Sequence, residues 1–260
     1  MTSAAQQELL SNVPFDAVLA EPAREPDARI SYGPDALQFG ELWLPQSIQP
    51  APLIVMIHGG CWLNSFDVSH TYGLNTALAN MGYAVWALEY RRTGDEGGGW
   101  PGTYEDIRAG ILALNQLDSE EVDTERVAVL GHSAGGHLAL LAGIDPAVAP
   151  SIDLVVGLAA IVDIEQYSLG NNSCQVATPQ FMQGTVEEVP QDYEDANPAH
   201  KPLLTRTLLF QGDVDEIVPM DQADLEGAVT HVFQGAGHFD WIHAGTGAFA
   251  YMLTLIEGLF

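Results

Sequence analysis

The apolar residues of this chain gather into short runs separated by polar, glycine-rich and proline-rich stretches. Pro52-Leu-Ile-Val-Met-Ile-His58 and Tyr83-Ala-Val-Trp-Ala-Leu-Glu89 are continuous apolar segments of strand length, the pattern of strands buried on both faces. Shorter runs at 127–130, 154–158, 207–211 and 229–233 predict further strands. Leu37-Gln-Phe-Gly-Glu-Leu-Trp-Leu-Pro45 alternates apolar and polar roughly in twos, which predicts a half-exposed strand ending at Pro45. Helical stretches are predicted over about 70–81, 103–117, the Ala/Leu-rich residues after Ser133, and about 245–259. Glu105 and Asp106 suit the first turn of the second of these. Strands alternating with helices imply an α/β fold, with a mostly parallel central sheet covered by helices on both faces.

Two stretches do not fit that rhythm. Residues 1–35 carry Pro14, Pro22, Pro26 and Pro34 and read as an N-terminal arm with one short helix near residues 6–10. Residues 163–200, after the strand at 154–158, have no sustained period and contain Gly170-Asn-Asn, Pro190 and Pro198. A segment of that length inside a compact domain is usually functional, and it reads as a lid over a site. No linker or repeat interrupts the rest, so residues 1–260 are expected to form a single domain.

Composition narrows the function classes. An apolar fraction of 47% is ample for a core. No run of apolar residues is long enough to predict a transmembrane helix. The first residues show neither a basic region nor an apolar one, so no secretory signal is expected. The 35 acidic residues against 8 basic ones give a formal net charge of −27, which disfavours nucleic acid and anionic membranes as partners. The acids are spread along the chain, as on a strongly solvated surface. Two cysteines, Cys61 and Cys174, do not form a disulfide framework by number, so a reduced, cytoplasmic protein is expected, with Cys61 a small packed residue.

The candidate chemistry centres on Gly131-His-Ser-Ala-Gly135, a G-x-S-x-G turn between an apolar strand and an Ala/Leu-rich helix. That context is what a nucleophile elbow needs, with Ser133 exposed on a strained turn at a helix N-terminus. An activated serine requires a base, and the base an orienting acid. Gly235-Ala-Gly-His238 sets a histidine in a glycine-flanked loop after the last short strand. His132 and His137, in and just past the elbow, are expected to be structural, and His58 to brace the adjoining loop. His70, His200, His231 and His243 have no comparable loop context. For the acid, Asp215 follows a buried strand, in competition with Asp213, Glu216 and Asp163. Asp213 also suits a turn-capping role. The order Ser133, Asp215, His238 is that of α/β-hydrolases. His58-Gly-Gly-Cys-Trp62 is a loop whose small residues let backbone N–H groups approach an oxyanion, with Ala134 as the donor after the nucleophile. No metal-ligand spacing and no dinucleotide fingerprint is found, so no metal or cofactor is expected.

With these residues, the chain resembles the α/β-hydrolases, in the branch of kynurenine formamidase-like proteins and small-acyl carboxylesterases. The resemblance runs from Ile30-Ser-Tyr-Gly33 and the 42–45 strand end through His58-Gly-Gly-Cys-Trp62, Glu89-Tyr-Arg-Arg92, the elbow, Asp215-x-x-Val-Pro219 and Gly237-His-Phe239. It implies a Ser133–His238–Asp215 triad and an oxyanion hole of Gly60, Cys61 and Ala134. Many relatives carry glycine where this chain has Cys61, and a backbone donor tolerates the change. The implied activity is hydrolysis of small carboxylic esters. The H-G-G-x-W form is similar to arylformamidases, so an N-formylkynurenine-type amide is the alternative substrate, and a non-catalytic binding scaffold a remote third. Trp62, Trp100, Tyr167 and Phe181 are candidate pocket walls. Arg91, Arg92 and Asp106 are expected in structural ion pairs. The partner expected is a small-molecule ester or amide, with a homodimer compatible.

Overall fold

In the computed structural model, residues 9–46 and 50–258 are described. They contain an eight-stranded sheet of β1 (Ala28–Ser31), β2 (Phe39–Trp43), β3 (Ala51–Ile57), β4 (Ala84–Leu88), β5 (Val122–His132), β6 (Leu154–Leu158), β7 (Thr207–Gly212) and β8 (Val229–Phe233), in the spatial order β1-β2-β4-β3-β5-β6-β7-β8. The pairs β1–β2 and β2–β4 are antiparallel, and every other pairing is parallel.

The predicted apolar runs fold as strands because their alternate residues fill two cores. Leu53, Val55 and Ile57 of β3 join Val127 and Val129 of β5 on one face, against Ile107 and Ile111 of α3 (Gly102–Leu112) and Leu138 of α4 (Ala134–Ile144). Ile54 and Met56 join Ala128 and Leu130 on the other face, against Leu74 and Leu78 of α2 (Tyr72–Asn80) and Phe249 and Met252 of α8 (Gly247–Ile256). Each large apolar side chain fully buried this way contributes about 1.5–3 kcal/mol.

Several expectations change. Strand β2 is buried along its whole length. Its polar position Glu41 is covered because Arg29 reaches across from β1, with Nε 3.0 Å from Oε1. Strand β1 itself lies inside the stretch read as an arm. The helix expected at 6–10 falls mostly outside the described residues, and the arm's helix is α1, Phe15–Leu19. Residues 163–200 hold three short helices, α5 (Ile164–Tyr167), α6 (Ser173–Met182) and α7 (Pro190–Asp195), too short for a helical period to stand out. No helix among the described residues is long and apolar enough to cross a membrane.

Strand β3 has β4 on one side and β5 on the other, so chain connections diverge between β3 and β5. Ligands of open α/β sheets bind beyond the strands' carboxyl ends at such a point. The loops that follow β3, β5, β7 and β8 all leave from that edge, and they carry Gly60, Ser133, Asp215 and His238.

Candidate active site

Strand β5 ends at His132 and α4 begins at Ala134, so the chain reverses on one residue, Ser133. Its φ of 55° and ψ of −121° are costly for a residue with a side chain, and such strain persists only where the surroundings enforce it. Here the Ser133 N–H donates to Leu158 O at 2.9 Å, and Ser133 O accepts from His137 N–H at 3.1 Å. Gly135 permits the close approach of α4 to β3: a Cβ there would lie 2.2 Å from Ile57 O. The hydroxyl therefore sits at the positive end of an 11-residue helix, which favours negative charge on it.

The other partners converge from distant parts of the chain. His238 Nδ1 lies 2.8 Å from Asp215 Oδ2. The Asp215 carboxylate is wholly buried, and its second oxygen accepts N–H groups from Ile217 and Val218 at 2.8 and 2.9 Å. Gln211 also donates toward Oδ2, at 3.4 Å. The carboxylate is thus fixed by its own turn and turned toward the imidazole. The competing acids are occupied or exposed. Asp213 accepts Gly235 N–H at 2.6 Å and so steadies the loop that carries His238. Asp163 caps α5 and receives Asn197, and Glu216 is exposed.

The loop after β3 passes through positive φ at Gly60 (109°), Cys61 (53°) and Trp62 (57°), and is closed by Leu63 N–H donating to Gly60 O at 2.9 Å. No acceptor among the described residues takes the N–H groups of Gly60 and Cys61. Ala134 is the first residue of α4 and its N–H has no partner within the helix. A buried network holds this loop. His58 Nε2 lies 3.2 Å from Glu89, which also accepts Val68 and Tyr90 N–H groups and faces Arg92 at 3.2 Å. Burial alone would raise the Glu89 carboxyl, but His58 and Arg92 hold it below its usual value. His58 thus stands where a brace was expected. Arg91 forms a two-pronged pair with Asp106 at 2.8 and 2.6 Å, and Arg92 pairs with Glu89 and Asp95, both structural roles.

Ser133, His238, Gly60 and Cys61 line one cavity of about 210 Å³. Much of its remaining wall carries no mark in the sequence. Phe15, Phe66, His70 and Phe239 form one cluster of rings on it, with Phe15 5.3–5.8 Å from the other three. Phe66 follows the 58–62 loop closely enough for its place on the wall to be legible in sequence, whereas nothing local marks Phe15. The other group includes Cys174 and Ile217. Cys174 is bonded to Cys61, with Cα atoms 5.0 Å apart, contrary to the expectation of two unpaired cysteines. The bond ties the loop after β3 to α6 across 113 residues of sequence, a proximity that only the tertiary fold creates.

None of the four expected aromatic walls lines this cavity. Trp62 is fully buried and stacked on Phe181 at 4.7 Å, and Trp100 meets Phe181 edge-on at 6.4 Å. Both therefore pack on Phe181 instead of facing the cavity, Trp62 from a backbone at positive φ. Tyr167 acts at one remove, its hydroxyl donating to Ile217 O at 3.0 Å beside the Asp215 turn. His132 has a clear structural part, with Nε2 2.9 Å from His238 O, which joins the elbow to the histidine loop. Burial keeps the His132, His137 and His70 imidazoles neutral, the last two lowered to about 4 and about 3.

The chain is 30% identical over 215 residues to esterase LipC of Mycobacterium tuberculosis, a match covering 75% of this chain and 52% of LipC, so it spans about half the length of that relative. Among solved structures it superposes on esterase B from Lactobacillus rhamnosis with a TM-score of 0.78 at 19% identity, covering 94% of this chain and 89% of that one. A truncated carbohydrate esterase from gut microbiota gives 0.74 at 19% identity, covering 92% and 96%. These likenesses establish the α/β-hydrolase fold. The family model described as BD-FAE matches residues 41–226, from β2 past Asp215, and the chain belongs to that family.

Proposed function

We propose that this protein is a serine carboxylesterase that cleaves small esters through an acyl-enzyme. The observation that carries the reading is the meeting, on one cavity wall, of a strained Ser133, a His238 already bonded to a buried Asp215, and the free N–H groups of Gly60 and Cys61. Asp215 on Nδ1 fixes the imidazole tautomer, leaving Nε2 to take the Ser133 proton as Oγ attacks the ester carbonyl. The imidazolium that forms is stabilised by the same carboxylate. The oxyanion is held by the N–H groups of Gly60, Cys61 and Ala134, each such donor being worth about 10²–10³ in rate. Collapse expels the alcohol, which takes the proton from Nε2. Water then repeats the sequence on the acyl-serine and restores the enzyme.

A cavity of about 210 Å³ supports a small substrate. The names of LipC and esterase B favour ester over formamide. Residues 163–200 are read as a cap, because Cys174 lines the cavity while Tyr167 and Asn172 bond Ile217 O beside the Asp215 turn. The Cys61–Cys174 bond supports an oxidising surrounding over the cytoplasm suggested by cysteine number. The test compares kcat/KM for p-nitrophenyl acetate, butyrate and octanoate with that for N-formylkynurenine, using Ser133→Ala as the blank. Ester turnover falling with chain length and little deformylation are expected. Dominant deformylation would reassign the substrate.

A further inference from the structure

A second cavity, of about 260 Å³, adjoins the catalytic one. The two share three wall residues, Phe15, Phe66 and His70. Beyond that partition the outer cavity is lined by Leu19, Ser65, Asp67 and Ser69. Two of the partition's members belong to the catalytic framework: the Phe66 Cβ is what a Cβ at Gly60 would strike at 2.4 Å, and the His70 ring meets His58 edge-on at 5.5 Å. Phe15 differs. It stands on α1 in the N-terminal arm, half-buried, and its ring fills the space between Phe66, His70 and Phe239.

The arm is held in register with the catalytic histidine. The Asp240 carboxylate, almost wholly buried two residues after His238, accepts the N–H groups of Asn12 and Val13 at 2.6 and 2.7 Å and that of Gly237 at 3.1 Å. One buried anion therefore bonds both the arm and the histidine loop. Three backbone donors to a carboxylate are charge-assisted and strong, so Phe15 is set by the same clamp that sets His238.

Resting on the esterase reading, we infer that Phe15 is the residue that limits substrate length, closing the catalytic cavity against the outer one so that one arm of the ester must be short. Truncating its ring joins about 210 Å³ to about 260 Å³ and opens a path past the reacting carbonyl.

The experiment measures kcat/KM for wild type, Phe15→Ala and Phe15→Leu on two series, p-nitrophenyl acetate against hexanoate for the acyl arm and ethyl against hexyl acetate for the alcohol arm. In one series the long-to-short ratio is expected to rise about tenfold in Phe15→Ala, the effect of about two further buried methylenes, and less in Phe15→Leu. Which series moves identifies the arm that Phe15 faces. Thermal melts accompany the kinetics, and if Phe15→Ala melts early, Phe15→Leu carries the comparison. Ratios within twofold of wild type in both series, with wild type active on the short esters, would overturn the inference and leave the esterase reading standing. A wild-type protein silent on all four esters would remove the esterase reading and this inference together.

Discussion

Cutting the Cys61–Cys174 bond perturbs stability and catalysis at once, and the two effects have different origins. The bond closes 113 residues of sequence, for which the chain-entropy relation gives about 5 kcal/mol at 25 °C. Measured values often run lower, so a loss of about 2–5 kcal/mol is expected, or about 10 °C in Tm for a domain of this size. The catalytic effect comes from place. In the proposed mechanism Cys61 presents one of the oxyanion N–H groups; it lies in a loop at positive φ, with its side chain anchored to α6. Losing such a donor outright costs about 10²–10³ in kcat, and loosening it should cost less, about tenfold. The assay pairs urea melts with p-nitrophenyl acetate kinetics for wild type with and without a thiol reductant, and for Cys174→Ser. Cys174→Ser keeps the Cys61 backbone, so a fall in kcat there measures the anchor alone. A Cys174→Ser protein with the wild-type midpoint and the wild-type kcat would rule out both effects.

Other perturbations separate the parts of the site. Asp215→Asn retains the shape of the turn but loses the charge that selects the tautomer, and kcat should fall about 10⁴-fold with KM little changed; a fall under tenfold would point to another acid. Buried neutral histidines should make stability depend on pH. His137, lowered from 6.5 to about 4, contributes stability that is fully present above pH 6.5 and is lost as pH falls toward the folded value. At pH 5 that loss is about 2 kcal/mol from His137 alone, with His70 and His132 adding to it, while most carboxylates are still ionised. Urea midpoints should therefore drop between pH 7 and pH 5, and a flat profile over that window would contradict the burial of these rings.

The features legible in the sequence are those written locally. Apolar runs such as 52–57 and 84–88 have the length of strands buried on both faces, and the strand–turn–helix around Ser133 is marked within ten residues. The meeting of Asp215 with His238 is legible because each follows a parallel strand that ends at the same sheet edge. What escaped depends on contacts between distant segments. Glu41 looks like an exposed alternate position until Arg29 covers it. Trp62 looks like a pocket wall, but it is buried and stacked on Phe181, a residue far away in sequence. The Cys61–Cys174 bond and the Asp240 clamp join residues 113 and 228 positions apart, and no spacing rule anticipates either.

The proposed mechanism stands on Ser133 as the nucleophile. Incubation with a p-nitrophenyl alkylphosphonate, which transfers its phosphonyl group to an activated serine hydroxyl with release of p-nitrophenol, tests it directly by intact-mass and peptide-mass analysis. One adduct per chain, mapped to the Gly131–Gly135 peptide, with esterase activity lost in proportion and no adduct on Ser133→Ala, is the predicted result. Labelling of Ser133→Ala with the same stoichiometry, or full activity in an adduct-bearing chain, would contradict it.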